Sequence, residues 1–531
     1  MKEPPSNVDR HGRWWPALGV GIVALAVYVA SLAPGLTFAN HGVDGGDLIA
    51  AAYNLGVPHP PGYPTYTLLA WLLTRLPVGV VAYRVNLLSA ICTAGAVALL
   101  YTCVRQLLPA GGRSRLLLPG ATALTFAFAS LPWSQAVIAE VYGLLALFAA
   151  LLLWLLLRWR SGGGDRHLWL AALVLGLGLG NHLTLIFAAP AALILIWPQR
   201  QRWLRVRVLL PCLLLFLAGL GVYAYLPLAA RHNPPVNWGN PVTWDRFLWV
   251  VTARQYQPFA FGLDLAHAPA RLAGWAGLLG EQFGWWGLAL ALAGGWWAWQ
   301  RDRSLTLAGL AWMVLAGGYA FLYRFEDSYV YLLPVVMLLA LWWGEGLRGV
   351  LQLIRGRWGQ PPGARPGRWG QQPGLAPVAV ALLPLLSLGL HWTAVDPDDD
   401  GQAQAYAYQA LEVVEAGSLI VARGDGPTFA LWYGLYAEGR RPDVAVVNGP
   451  LLAYTWYRQQ IRSQYPDLLL YEPGPEEEVT IDDLVRHLIE DNLGRRPVYA
   501  TDPAAPWTAW LEFVEETGAP LYRVLSPPPG P

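Results

Sequence analysis

A chain of 531 residues with 55% hydrophobic and only 13% charged residues, and a mean hydropathy of +0.36, is too apolar and too poor in charge for a soluble protein of that size. The formal net charge of +1 hides an asymmetry, because 22 of the 35 acidic residues lie at or after Asp396. Composition thus excludes a soluble enzyme, points to no nucleic-acid partner, and predicts a polytopic α-helical membrane protein with a C-terminal soluble domain.

About 20 apolar residues are needed to cross the hydrocarbon. Along the chain this rule places spans near 17–33, 84–104, 117–131, 138–157, 168–180, 183–198, 208–228, 283–300, 305–323, 328–347 and 375–393, about 11 in all. The stretch Gly19–Leu32 has the composition of a signal peptide, but a motif-bearing loop and further spans follow it, so it is read as the first transmembrane helix. Cys92, Cys103 and Cys212 all sit in apolar runs, which points to packing rather than to disulfides or a metal cluster. With the N-terminus in the cytoplasm, inside segments carry 20 basic residues and the opposite side of the membrane region seven, a bias that sets the orientation. The predicted membrane domain is 1–393, with a first outer loop 34–83, a large outer loop 229–282 and a cytoplasmic loop 348–374. Within that last loop the Gly/Pro/Arg stretch 355–374 reads as flexible. The expected location is the plasma membrane, with multiple passes and lipid neighbours. Residues 394–531 are expected outside. There the β-branched runs Ser418–Ala422, Asp443–Val447 and Pro497–Thr501 alternate with helical patterns at Phe429–Glu438, Asp482–Asp491 and Trp507–Glu516, which predicts a small α/β domain with a mainly parallel sheet.

The chemistry concentrates after the first span, in Asn40-His-Gly-Val-Asp44-Gly-Gly-Asp47 and Pro58-His59-Pro-Pro-Gly-Tyr63-Pro64. Two carboxylates three apart open a helix near Asp47, where simple capping is the plain alternative. His59 between prolines is a candidate substrate-binding residue or a turn residue, and a second helix starts near Pro64. On the outward face the membrane half offers only Asp44, Asp47, Glu140, Asp245, Asp264, Glu281, Glu326 and Asp327 as acids. Glu140, beside Tyr142, begins a span, where an ionisable group is costly and functional unless it serves as an interfacial cap or interhelical hydrogen bond. Gly180-Asn181-His182 breaks another apolar run, and His182 either faces the site or bonds a neighbouring helix. Arg324-Phe-Glu326-Asp327 reads as an outer turn with a local ion pair. The long outer loop carries Asn237, Trp238 and Arg254 among other aromatics; sugar faces stack on aromatics and guanidinium groups grip phosphate. Asp396-Pro-Asp-Asp-Asp400-Gly401 starts like a calcium loop but has Ala407 where a bidentate Glu is required. Gly424-Asp425-Gly426 is too short for a phosphate loop and reads as a turn.

The motifs Asp44-Gly-Gly-Asp47 and His59-Pro-Pro-Gly closely resemble those of a widespread family whose eukaryotic members are protein O-mannosyltransferases of the GT-C superfamily. Its opening motif reads Asp-Ser-Gly-Glu; here Gly45 and Asp47 replace Ser and Glu and keep both carboxylates. The resemblance extends to Ala139-Glu140-Val-Tyr142, Gly180-Asn-His182 and the Asn237-Trp-Gly-Asn-Pro loop, and in the tail to the segment from Gly424 to Tyr433 and to Arg441-Pro-Asp443-Val. It implies a GT-C-like fold, a catalytic first outer loop, and a polyprenyl-phosphate sugar, most simply mannose, as donor for a protein Ser/Thr or a glycan acceptor. It also implies an acidic catalytic base, Asp44 or Asp47, with Asp44 favoured and Asp47 positioning the acceptor or sharing the role. Substrate-binding candidates are His59, Glu140, Tyr142, His182, Asn237, Trp238, Arg254 and Arg324, of which Arg254, Arg324 and His182 are candidates for phosphate. No metal or cofactor is expected, since the lipid-linked sugar is itself a substrate. Transfer to a lipid-linked glycan or cell-wall polymer, a transporter or flippase, and a sensor or scaffold are the rival readings.

Overall fold

The computed structural model describes residues 14–108, 114–354, 376–474, 477–504 and 511–525. In chain order the membrane half contains α1 (Trp15–Ala30), α2 (Gly45–Asn54), α3 (Pro64–Thr74), α4 (Val81–Leu107), α5 (Ser114–Ala127), α6 (Ser130–Ser134), α7 (Tyr142–Arg160), α8 (Arg166–Leu179), α9 (Ala188–Ile196), α10 (Arg200–Trp203), α11 (Val206–Leu220), α12 (Tyr225–Ala230), α13 (Trp244–Val251), α14 (Ala268–Arg301), α15 (Arg303–Leu322), α16 (Leu333–Ile354) and α17 (Ala376–Val395). The tail adds α18 (Gln402–Val413), α19 (Asp425–Trp432), α20 (Thr455–Gln464) and α21 (Ile481–Asn492), with strands β1 (Leu419–Ala422), β2 (Ala445–Asn448), β3 (Val498–Ala500), β4 (Phe513–Glu515) and β5 (Tyr522–Val524).

This is a multi-pass membrane protein. Among the described residues seven helical segments are long and apolar enough to cross a bilayer: Val81–Leu107, Tyr142–Arg160, Leu183–Trp203, Val206–Ala230, Arg303–Leu322, Asp327–Ile354 and Pro377–Val395. That is fewer than the eleven expected. The spans expected at 17–33, 117–131 and 168–180 are the shorter apolar helices Trp15–Ala30, Leu116–Ala127 and Arg166–Leu179. The one expected at 283–300 is the second half of α14, whose backbone breaks at Gly284 with φ 67°. The span expected from residue 138 begins only at Tyr142, because residues 135–141 form a buried irregular turn. Such backbone is tolerated at that depth because protein rather than lipid surrounds it. The stretch 355–374 lies outside the described residues.

Helix α4 is the hub, with α1, α3, α5 and α7 packed on it. Hydrocarbon gives no hydrophobic drive between helices, so small residues that allow close approach set the packing. Between α14 and α16 a Cβ on Gly294 would lie 1.8 Å from the Trp342 carbonyl oxygen, and one on Gly346 2.2 Å from that of Leu290. Buried polar atoms find partners across the bundle. Tyr28 donates to the Ala127 carbonyl (2.9 Å), Trp133 Nε1–H to Ser31 Oγ (2.9 Å), and His391 Nδ1 lies 2.7 Å from the Phe128 carbonyl. The three cysteines are free, as packing roles require. At the far end of α7, Arg160 grips Asp302 with two bonds of 2.7 and 2.9 Å, while the buried Glu345 holds both Arg301 (3.0 Å) and Arg348.

The tail forms one five-stranded sheet of order β2-β1-β3-β5-β4. Strand β1 runs parallel to β2 and β3, while β5 is antiparallel to β3 and β4, so the parallel character covers only half of the sheet. The runs at 418–422, 443–447 and 497–501 became β1, β2 and β3. The helix expected over Trp507–Glu516 is replaced where described by strand β4, whose β-branched and aromatic Phe513-Val514 suits an edge pairing with β5; residues 505–510 lie outside the described ones.

The tail is clamped onto the loop between α1 and α4. Thr37 Oγ1–H and Ala39 N–H both donate to Asp400, the second at 3.2 Å, so the run that starts like a calcium loop instead ties down the backbone ahead of Asp44. Leu36 N–H donates to Gln404 Oε1 (3.4 Å), Val81 N–H to Glu438 Oε1 (3.1 Å) and Asn54 Nδ2–H to the Tyr436 carbonyl (2.9 Å).

Removing one partner from a buried ion pair leaves the other charge uncompensated, typically at a cost of about 3–5 kcal/mol. For Glu345→Gln we expect about 2–3 kcal/mol, since a third of the Arg301 side chain is exposed and partly screened by water. Thermal unfolding in detergent should show a clear drop in Tm; an unchanged Tm would mean that the cluster contributes nothing.

Candidate active site

The turn that delivers the first carboxylate is conformationally costly. Asn40 and His41 adopt left-handed backbone, φ 55° and 61°, which non-glycine residues rarely take. Asn40 is fixed from two sides, its Nδ2–H donating to the Val395 carbonyl (2.9 Å) and its own carbonyl accepting from Gln135 Nε2 (3.2 Å). The turn ends at Asp44, which precedes α2 without capping it: no backbone N–H is bonded to its side chain. Its side chain is 45% exposed. A carboxylate placed at a helix start and not used as a cap is free for other work.

Asp47 is its opposite. It is 0% exposed, and both oxygens are engaged: Oδ2 accepts the backbone N–H of His59 (2.9 Å) and lies 2.7 Å from His59 Nδ1, while Oδ1 accepts Trp238 Nε1–H (2.9 Å). The capping alternative therefore fails for both acids. Asp47 links the two loops the sequence singles out, and through His59 it reaches Asp44, whose Oδ2 lies 3.6 Å from His59 Nε2. Tyr63 OH is 3.1 Å from the same nitrogen. His59 is thus no mere turn residue, since both ring nitrogens are engaged by the site. Aromatic rings enclose it: Tyr63 edge-on at 5.0 Å, Trp238 at 6.3 Å, Tyr256 at 6.5 Å, and Phe429 of the tail stacked at 6.3 Å.

The remaining sequence candidates fall into two groups. Glu140 and Tyr142 lie on the bundle side of this centre. Glu140 is 4% exposed, its carbonyl accepts from Ser89 Oγ–H (3.1 Å), and its charge acts on His59. His182, 5.4 Å from the Tyr142 ring and 5.3 Å from Tyr331, has Nδ1 within 2.7 Å of Thr184 Oγ1 and capping Thr184 N–H; it bonds its own turn rather than a neighbouring helix. Asn237 is buried and pairs its strand-like backbone with Val57, which carries Trp238 to Asp47. The arginines stand apart. Arg254 is exposed and forms no ion pair among the described residues, and the Arg324 guanidinium lies 6.0 Å over the Phe259 ring; the Glu326 side chain of the expected local ion pair lies outside the described ones. Among the described residues no three His, Cys, Asp or Glu side chains are grouped to hold a metal ion.

Sequence reasoning passed over Tyr63, Tyr256, Tyr331, Asp425 and Phe429 as site residues. Tyr63 was legible, being part of the His-Pro-Pro-Gly-Tyr run. The tail residues were not, because nothing local signals that α19 packs on α2. It does so closely: a Cβ on Gly46 would lie 2.2 Å from the Phe429 carbonyl oxygen.

Residues 44–204, starting at Asp44 itself, match the model of the protein O-mannosyl-transferase TMEM260 N-terminal domain, and residues 403–467 match TMEM260-associated domain 2. The chain is 28% identical over 462 residues to the mouse protein O-mannosyl-transferase TMEM260, covering 80% of this chain and 62% of that protein. It is 24% identical over 509 residues to the Dictyostelium discoideum protein of the same name, covering 86% and 60%. It therefore spans about three fifths of the length of these relatives. Among solved structures, ArnT from Cupriavidus metallidurans superposes with a TM-score of 0.61 in its apo state (12% identity, 96% of this chain and 97% of that one). Bound to undecaprenyl phosphate, ArnT gives 0.59 (14% identity, 97% and 98%). The chain is thus similar in sequence to protein O-mannosyl-transferases TMEM260 and shares its fold with ArnT.

Charge in this centre is finely balanced. Burial works against a charged His59, but the carboxylates of Asp44 and Asp47, and Glu140 beyond them, outweigh it and raise the imidazole to about 9. Asp44 is pushed above the usual carboxylate range by its enclosure, against the pull of His59. Because the folded value of His59 lies above its ordinary 6.5, the stability its charge contributes is complete below about pH 6.5 and is lost as pH rises through about 9. The difference in Tm between wild type and His59→Gln should therefore shrink across that window. A difference independent of pH from 6 to about 10 would contradict a charged His59.

Proposed function

We propose that this protein transfers a hexose, most simply mannose, from a polyprenyl-phosphate donor to a Ser or Thr hydroxyl of a protein on the outer face of the plasma membrane. The observation that carries the reading is the contrast between the two acids: Asp47 is fully enclosed and spent on His59 and Trp238, leaving Asp44 half-exposed, uncapped and 3.6 Å from His59 Nε2. The relatives are named protein O-mannosyl-transferases, and the ArnT structure of the same fold holds undecaprenyl phosphate. Orientation follows the excess of basic residues predicted for the cytoplasmic segments, which places the N-terminus inside and the loop 34–83 with the domain 394–531 outside.

In the reaction the acceptor oxygen attacks the anomeric carbon, Asp44 takes the hydroxyl proton, and the bond from that carbon to the phosphate oxygen breaks to release polyprenyl phosphate. A carboxylate lifted above its usual range by enclosure is a stronger base at neutral pH. The His59 imidazolium keeps it ionised and oriented, and Asp47 holds His59 in place. Tyr256, half-buried beside His59, offers an aromatic face to a sugar ring, while the buried Trp238 and Phe429 wall the site behind it. Glu140, Tyr142 and His182 line the bundle side, where the donor lies, and Asn237 sets the Trp238 loop. Arg254 and Arg324, both exposed and without a carboxylate partner among the described residues, are the cations for the departing phosphate. The donor is already activated as a phosphoester, so no nucleotide, metal or cofactor is required.

The test is transfer from synthetic polyprenyl-phosphate mannose by purified protein, followed by released lipid phosphate and by the mass of the acceptor. Asp44→Asn should lose about 10²–10⁴-fold in turnover with donor affinity retained. Equal turnover by the mutant, or no consumption of donor by wild type with any envelope acceptor fraction, would defeat the proposal; the second result would favour transport.

A further inference from the structure

The Gly424-Asp425-Gly426 turn has no part in the scheme above, yet its position is specific. Gly424 takes φ 83° after β1, and Asp425 opens α19. That helix rests on α2 and on the turn 39–44: beside the contact of Gly46 with the Phe429 carbonyl, a Cβ on Gly426 would lie 3.6 Å from Phe38 and 4.0 Å from Val43, the residue before Asp44. While Thr428, Phe429 and Ala430 of the same helix are buried, Asp425 is exposed, and its carboxylate makes no hydrogen bond or ion pair among the described residues. It is close enough to the centre to interact with Asp44, Asp47 and His59, and the Tyr256 hydroxyl interacts with both Asp44 and Asp425. The half-exposed Asp44 and the unpartnered Asp425 therefore face one opening, with Tyr256 beside both.

The sides of that opening differ. Helix α2 packs both on α4 of the bundle and on α19 of the tail. A lipid-linked donor reaches Asp44 from the bundle, because its chain stays in hydrocarbon. What arrives past α19 is the acceptor. We propose, resting on the transferase reading, that Asp425 is an acceptor-side specificity residue that favours cationic peptide segments around the target hydroxyl and rejects anionic acceptors such as phosphate-bearing glycans. A carboxylate without an intramolecular partner attracts ammonium, guanidinium and backbone N–H groups, while juxtaposed like charges are strongly penalised.

The experiment compares two Ser/Thr peptides that differ only in flanking residues, Lys in one and Glu in the other, in full-length wild type, Asp425→Asn and Asp425→Glu. Wild type should prefer the Lys peptide in kcat/KM by about ten-fold or more, Asp425→Asn should bring the ratio to within about two-fold of unity through the acceptor KM with donor KM unchanged, and Asp425→Glu should restore the preference. An undiminished preference in Asp425→Asn overturns the proposal, as does a change confined to donor KM, which would put Asp425 on the donor sugar. Fluorescence anisotropy of labelled peptides with the same proteins reads the preference without turnover. A wild type that binds the Lys peptide through Asp425 but consumes no donor would refute the transferase reading alone, and peptide binding indifferent to Asp425 would refute this one. Matching thermal unfolding of the near-isosteric Asn variant shows that its fold is intact.

Discussion

A fully enclosed carboxylate is tolerable only when every oxygen has a donor. Asp47 meets that demand by drawing its donors from two distant loops, the backbone and ring of His59 and the indole of Trp238. The site's arrangement follows from this one knot. Trp238 is brought in from far along the chain, His59 is turned so that Nε2 faces Asp44 and Tyr63, and Phe429 completes the enclosure by stacking on the imidazole. The two acids of the motif thus differ by environment rather than by identity: one is buried and spent on two loops, the other half-exposed and, in the proposed mechanism, the base.

The same division explains what the sequence made legible. Helix α2 opening beside the acids, a second helix starting at Pro64 and the first three strands of the tail were all readable, because local rules govern them: turn residues, proline at a helix start, β-branched runs. The count of spans was less so. Gly284 breaks α14, and the stretch before Tyr142 stays irregular while buried, and neither departure changes the hydropathy on which span prediction rests. Strand β4 was misread as helix because edge pairing to β5 outweighed a short amphipathic pattern.

For the site, the membrane half was legible and the tail was not. Asp425 and Phe429 lie almost 400 residues from Asp44, and the only hint of their approach is the pair of small residues Gly45-Gly46, which reads as a flexible turn rather than as a seat for another backbone. Asp396 to Asp400 misleads in the other direction: an acidic run that looks like a cation loop serves instead as a staple for Thr37 and Ala39.

That staple, together with the seat at Gly46, has a consequence for how the protein is made. The strained turn ahead of Asp44 is held by Gln135 and Val395 of the bundle and by Asp400 of the tail, and α2 is covered by residues beyond 425, so the bundle alone supplies only part of the fastening of this loop. During synthesis the early helices are inserted long before those fastenings emerge. The contacts on the turn and on α2 are therefore the last to become available. A chain cut short before Asp400 would carry every residue of the first motif yet lack the contacts that tie down its turn and cover α2.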